Sequence, residues 1–305
     1  MSDARTPTGA RVLPPGYRNG RLHLDDDKLR VLETDFDVAA YTRNARGPIS
    51  VDGDVTLAPD ARRDVGYLWR VEHEALGDLR KMLSSWTSNE ARITAFLGTW
   101  AYERYWNARA LRDLLTADGS PAPRPLPRRG LHARLVGAYV EYLLPGVSAI
   151  GGIVVGEPVT AGHMARMAVH EGGLQVAYRA LLPRLDGAAH DVVADVIERR
   201  ESFVDFFRQE AAARVRRSPA ERLSAAIAVG PQFVPMRPDG VPDPGEAETF
   251  GALFSSREAR SALVESDRAI ASLLPGRPLP SVRAVRRRLR RPLIHRLTRS
   301  PHHGI

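Results

Sequence analysis

Apolar residues between Ala61 and Thr116 recur at alternating spacings of three and four, the period of helices that bury one face. Val65, Leu68, Leu76, Leu79 and Leu83 form one such stripe once Glu72 is counted in the series; Ile93, Phe96, Trp100, Glu103, Asn107, Ala110 and Leu114 form a second. A polar break around Ser84, Ser85, Thr87 and Ser88 divides them, which predicts two antiparallel helices over about 61–86 and 89–117. The pattern returns in Met164, Met167, Glu171, Leu174, Tyr178 and Leu181, and again in Val193, Ile197, Glu201 and Val204. Pro183 and the Asp186-Gly187 turn separate these two stretches, which predicts a second hairpin of helices over 160–182 and 188–215.

The two hairpins are far apart in the chain. Prolines and glycines between Ala117 and Gly130 end the second helix. Leu135–Gly156 follows, 22 residues with Glu141 as the sole charge. That length meets the criterion for a membrane span, but five glycines, Pro145 and the central acid favour a buried crossover. Residues 1–60 read as an N-terminal arm, with a possible short hairpin around Asp52-Gly53 between Pro48–Val51 and Val55–Leu57. Ser218-Pro219 and Ser256 are helix-start signals, which predicts accessory helices over 219–229 and 257–274. The resulting division is an arm over 1–60, a helical domain over 61–217 with its crossover at 118–158, accessory helices over 218–280 and a basic tail over 281–305.

Composition narrows the chemistry. The chain has no cysteine, so any metal must be held by oxygen or imidazole, and a cytoplasmic protein is expected. The formal net charge is +8, and it resides in the tail: Ser281–Ile305 holds eight arginines and no acid. The rest is balanced at 36 basic and 36 acidic residues, so the main body is not expected to bind nucleic acid. No phosphate-binding loop with its lysine, His-Glu-x-x-His sequence or serine-hydrolase elbow is present.

Four of the helical stripes are interrupted by glutamate. Glu72 lies 16 residues before the first turn, near residue 88, and Glu103 lies 15 after it; Glu171 lies 14 before the second turn, near 185, with Glu198 and Glu201 13 and 16 after. At about 1.5 Å rise per residue each opposed pair falls within roughly one turn of the same height. Carboxylates buried together repel one another and need compensation. A pair of divalent ions would supply it; so would Arg104, Arg199, Arg200 and Lys81 on the same predicted helices. The histidines His73, His163, His170 and His190 and the tryptophans Trp69, Trp86, Trp100 and Trp106 read first as packed or partly exposed side chains, with His170 the nearest candidate ligand.

Across residues 61–217 this order of helices and acids resembles the ferritin-like superfamily and its di-iron carboxylate oxygenases and oxidases, whose signature is one Glu on each of two helices and Glu-x-x-His on each of the other two. Glu72 and Glu171 match the single acids. Glu103-Arg104-Tyr105-Trp106 and Glu198-Arg199-Arg200-Glu201 resemble the Glu-x-x-His segments, with Trp106 and Glu201 in the histidine positions. The resemblance implies an all-α, ferritin-like four-helix bundle with a long crossover between its second and third helices. It implies metal held by Glu72, Glu103, Glu171 and Glu198 or Glu201, with Asn107 or His170 as substitute ligands. Iron or manganese would be the cofactor and a small organic molecule the oxidised substrate; an oxygen-rich site also suits magnesium or calcium. The alternative is a metal-free ferritin-like binding or assembly protein. Arg283–Arg299, a basic amphipathic stretch, would then direct the protein to an anionic membrane surface or an acidic partner, or pack its apolar side on the helical domain with the arginines in water.

Overall fold

A computed structural model of the 305-residue chain describes residues 17–18, 21–22, 32–124, 156–238 and 245–297, with side chains of the last helix as far as residue 289. The chain divides into two units, Met1–Glu33 and Thr34–Ile305. Of the first unit, a two-residue strand pair is described, Tyr17–Arg18 with Arg21–Leu22, antiparallel. The second is helical: α1 (Val38–Arg43), α2 (Pro59–His73), α3 (Ala75–Leu83), α4 (Ala91–Thr116), α5 (Pro158–Leu181), α6 (Gly187–Arg217), α7 (Pro219–Ala228), α8 (Glu246–Leu253), α9 (Arg257–Ala271) and α10 (Pro280–Leu297). The fold class is all-α, as the periodicity predicts. Among the described residues no helix is long and apolar enough to cross a membrane. The predicted crossover from 125 to 155, the candidate span within it and the tail beyond 297 lie outside the described residues.

Local chemistry sets the boundaries. Pro59, Pro158, Pro219 and Pro280 each open a helix, where the missing N–H has no intrahelical partner to lose. Ser218 and Ser256 cap α7 and α9 by accepting from the N–H of Glu221 and Ala259. The single helix expected over 61–86 is two, broken at Glu74, and the polar stretch after α3 forms a turn of 3-10 helix at Trp86–Asn89. The hairpin expected around Asp52-Gly53 does not form. That segment is extended coil, and Ile49, Val51, Val55 and Leu57 are partly buried against the helical core instead.

α5 is the central element. It packs on α6, α7, α8, α9 and α10 and is buried nearly all round, which explains why its stripe is weakly amphipathic. Two glycines allow this crowding. A Cβ at Gly172 would meet Ser266 Oγ of α9 at 2.4 Å, and one at Gly173 would meet Met236 Sδ at 2.8 Å. α4 packs against α2, α3 and α6. At one end Phe36, Tyr41, Phe96, Phe206 and Phe207 form a cluster of edge-to-face and stacked rings.

A candidate site closed by two arginines

Glu72 of α2 and Glu171 of α5 do meet in the interior, both fully buried. The space between them holds two guanidinium groups. Arg104, from α4, places Nε against Glu72 and Nη1 2.6 Å from Glu171 Oε1; Arg200, from α6, places Nη1 2.6 Å from Glu72 Oε1 and Nη2 2.5 Å from Glu171 Oε2. Each arginine thus bridges both acids, and each acid receives both arginines. The four-membered cluster is charge-neutral and takes one side chain from each of α2, α4, α5 and α6.

Neighbouring groups add further hydrogen bonds to this cluster, while Arg200 Nε–H has no partner among the described residues. Trp100 Nε1–H donates to Glu171 Oε1 at 3.2 Å, Tyr178 O–H donates to Glu72 Oε1 at 2.9 Å, and Arg104 Nη2–H donates to the Val71 carbonyl at 2.9 Å. The guanidinium of Arg104 lies over Trp100 and that of Arg200 over Tyr178, 5.4 and 5.2 Å from the ring centres. Burial alone would raise the Glu171 carboxyl, but Arg200 and Arg104 outweigh it and hold Glu171 below the usual carboxylate range. The Tyr178 hydroxyl is pushed far up by burial and by Glu72, so it stays a donor.

The remaining predicted ligands are elsewhere. Glu103 is buried, but it faces the N-terminal segment, where it accepts from Tyr41 O–H at 2.8 Å and from the Arg46 backbone N–H at 2.7 Å. Burial raises its carboxyl, against the pull of those two donors. Glu198 is exposed and pairs with Arg46; Glu201 is exposed and pairs with Arg179 at 3.3 Å. His170 is buried, and its Nδ1 accepts from the Met236 backbone N–H at 3.2 Å; burial drives it down to about 4, so it is neutral at pH 7. His163, also pushed down to about 4 by burial, has Nδ1 2.8 Å from Thr87 Oγ1. Asn107 is buried, and neither amide atom has a hydrogen-bond partner among the described residues.

The four-glutamate metal centre is therefore not assembled. A ligand set needs several unprotonated donors converging on one point, and here two cationic forks fill that point while three of the acids point away. Among the described residues no group of three or more His, Asp or Glu side chains could hold a metal ion. Trp106, in one histidine position of the resemblance, is half-buried and packs edge-on against Tyr102 and Tyr105.

Two further ionic clusters tie helix ends together. Glu210 of α6, fully buried, pairs with Arg92 and with Arg214, which reaches Glu90 at 2.5 Å. Glu246 of α8 receives Arg237 at 3.0 Å and Arg288 of α10 at 2.8 Å, along with the Tyr67 hydroxyl at 3.1 Å. The positional signal for the arginines was present in the sequence: Leu97, Trp100, Arg104, Leu111 and Val193, Val196, Arg200, Phe203, Phe207 also run at helical spacing. Comparison of the chain with family models, curated proteins and solved structures finds no match.

Proposed function

We propose that this chain is a metal-independent binding or assembly protein on a ferritin-like four-helix bundle, in which an arginine–glutamate cluster stands where relatives of that architecture would hold two metal ions. The observation that carries this reading is the reciprocal bridging of Glu72 and Glu171 by Arg104 and Arg200. Two guanidiniums supply positive charge between the acids, satisfy their oxygens and leave no open coordination position. The order of the helices supports the architecture, since two helical hairpins, α2–α3 with α4 and α5 with α6, are separated by the long stretch from 117 to 157.

A core closed in this way shifts partner contact to the surface, and the arginines of α10 are the candidate contact for an anionic partner. Elemental analysis of the full chain, before and after incubation with iron or manganese, tests the reading of the core. Less than a tenth of an equivalent of tightly held metal is expected under each condition. Two equivalents per chain, lost on Glu171→Ala, would overturn the proposal and restore a di-metal oxidoreductase.

A further inference from the structure

An open groove of about 530 Å³ lies between the loop after α9 and the first two turns of α10. Arg277, Arg283, Arg286 and Arg287 line it together with Leu279 and Val282, and no acid lines it. The buried arginines Arg104, Arg200, Arg214 and Arg288 all pair with carboxylates, but among the described residues none of the four groove arginines forms an ion pair. Two are instead oriented by main-chain oxygens: Arg283 Nη2–H donates to the Gly230 carbonyl at 2.6 Å, and Arg287 Nη1–H donates to that of Pro231 at 3.2 Å. Arg277 is held in a left-handed conformation, φ 42°, which a non-glycine residue adopts only under local constraint.

The electrostatics of the groove are uncompensated. Arg283 is lowered from its ordinary value by burial and by the neighbouring Arg287, opposed by Asp267. Asp267 is already engaged, accepting from the backbone N–H groups of Ser281 at 2.9 Å and Val282 at 3.2 Å at the start of α10. A compact, multiply charged anion would relieve the repulsion. Guanidinium forks match the paired oxygens of a phosphate, and the apolar wall of Leu279 and Val282 suits an organic group beside it.

We propose that this groove binds a phosphate monoester bearing an organic substituent, carried either by a soluble metabolite or by a lipid headgroup. The proposal rests on the assignment of partner contact to the α10 surface. The metal measurements concern the core alone, so the two fail separately.

The test uses the full chain in two arms: calorimetric titration with glycerol 3-phosphate, and co-sedimentation with phosphatidylcholine vesicles with or without phosphatidic acid. Saturable binding in at least one arm is expected, weakened about tenfold by Arg277→Ala and by Arg286→Ala, as the loss of one charge-assisted contact implies. Arg112→Ala, an equally exposed arginine on α4, should leave it unchanged. The arm that responds identifies the source of the phosphate. Both substituted groove positions are exposed, and thermal melts within 2 °C of the parent, as surface changes give, should accompany the loss. Absence of saturable binding in both arms overturns the proposal, as does binding that the groove variants leave intact or that Arg112→Ala weakens equally.

Discussion

Arg104 and Arg200 in the core and Arg283 and Arg287 on α10 are the same chemical group in opposite circumstances. Arg104 and Arg200 each have two carboxylates, and the space between them is filled. Arg283 and Arg287 have main-chain carbonyls for partners and each other for neighbours, and the space is open. Buried ions without partners are too costly to persist, so matching in the interior is obligatory; at the surface water tolerates a mismatch. The unmatched set is therefore where a ligand can add something, and the matched set is where one cannot enter.

The sharpest way to break this contrast is to unmatch the core. Arg200→Met leaves Glu72 and Glu171 with one guanidinium between them and should cost about 3–5 kcal/mol of unfolding free energy, measured by urea denaturation. Replacing Glu72, Arg104, Glu171 and Arg200 together by Leu and Met should cost less than the single change, because no buried charge is left uncompensated. A quadruple variant worse than Arg200→Met would mean that the cluster contributes net stability rather than neutralising itself. The depressed Glu171 carboxyl adds a pH signature. Its stabilisation is complete above the ordinary value of 4.5 and is lost as pH falls through the lower folded value, so the parent should lose stability in acid more steeply than the quadruple variant.

These residues also show what a sequence can and cannot convey. Height along the helices was legible: Glu72 lies 16 residues before residue 88 and Arg104 16 after it, and the two meet, as do Glu171 and Arg200, 14 before and 15 after residue 185. Azimuth was not. One residue turns a helix by about 100°, and α4 and α6 are buried over so wide a face that the stripes through Glu103 and Arg104, or through Arg200 and Glu201, look equally apolar from the sequence. The choice is made by what packs outside: Tyr41 and Arg46, from a segment with little periodicity, draw Glu103 outward. The ion pairs of Glu246 with Arg237 and Arg288 were equally hidden, since they join residues brought close only by the path of the loops.

Asp267 lies between the two regimes, a buried carboxylate beside the unmatched arginines. Burial pushes it up to about 6, against the N–H groups of Ser281 and Val282 that it caps. A carboxyl raised in the folded state binds its proton more tightly there than when unfolded. Stability should therefore fall as pH rises from about 4 to about 6 and then level off. Asp267→Asn keeps a carbonyl oxygen for the cap and removes the charge. It should abolish that slope and gain about 2 kcal/mol at pH 8, read from chemical denaturation across pH. An unchanged slope would assign the pH dependence to other groups.

Tyr41→Phe tests the outward orientation of Glu103 at smaller scale. It removes one hydrogen bond to a buried carboxylate that retains the Arg46 N–H, so a loss of about 1–2 kcal/mol is expected.

The smallest effect is the most decisive between the two readings of the core. Glu201 occupies a histidine position in the resemblance to di-iron proteins, yet its side chain is 61% exposed and paired with Arg179, itself 57% exposed, at 3.3 Å. Exposed pairs of long side chains contribute little, because water screens them and their freedom is lost on pairing. Glu201→Ala should therefore shift unfolding by no more than about 0.5 kcal/mol and leave the metal content of iron-treated protein where it was. A ligand would behave otherwise, since its removal would strip metal and the stability coupled to it. A large loss at this position, restored by adding iron to the parent and not to the variant, would mean that α6 turns its other face inward, and with it Arg200 would leave the cluster.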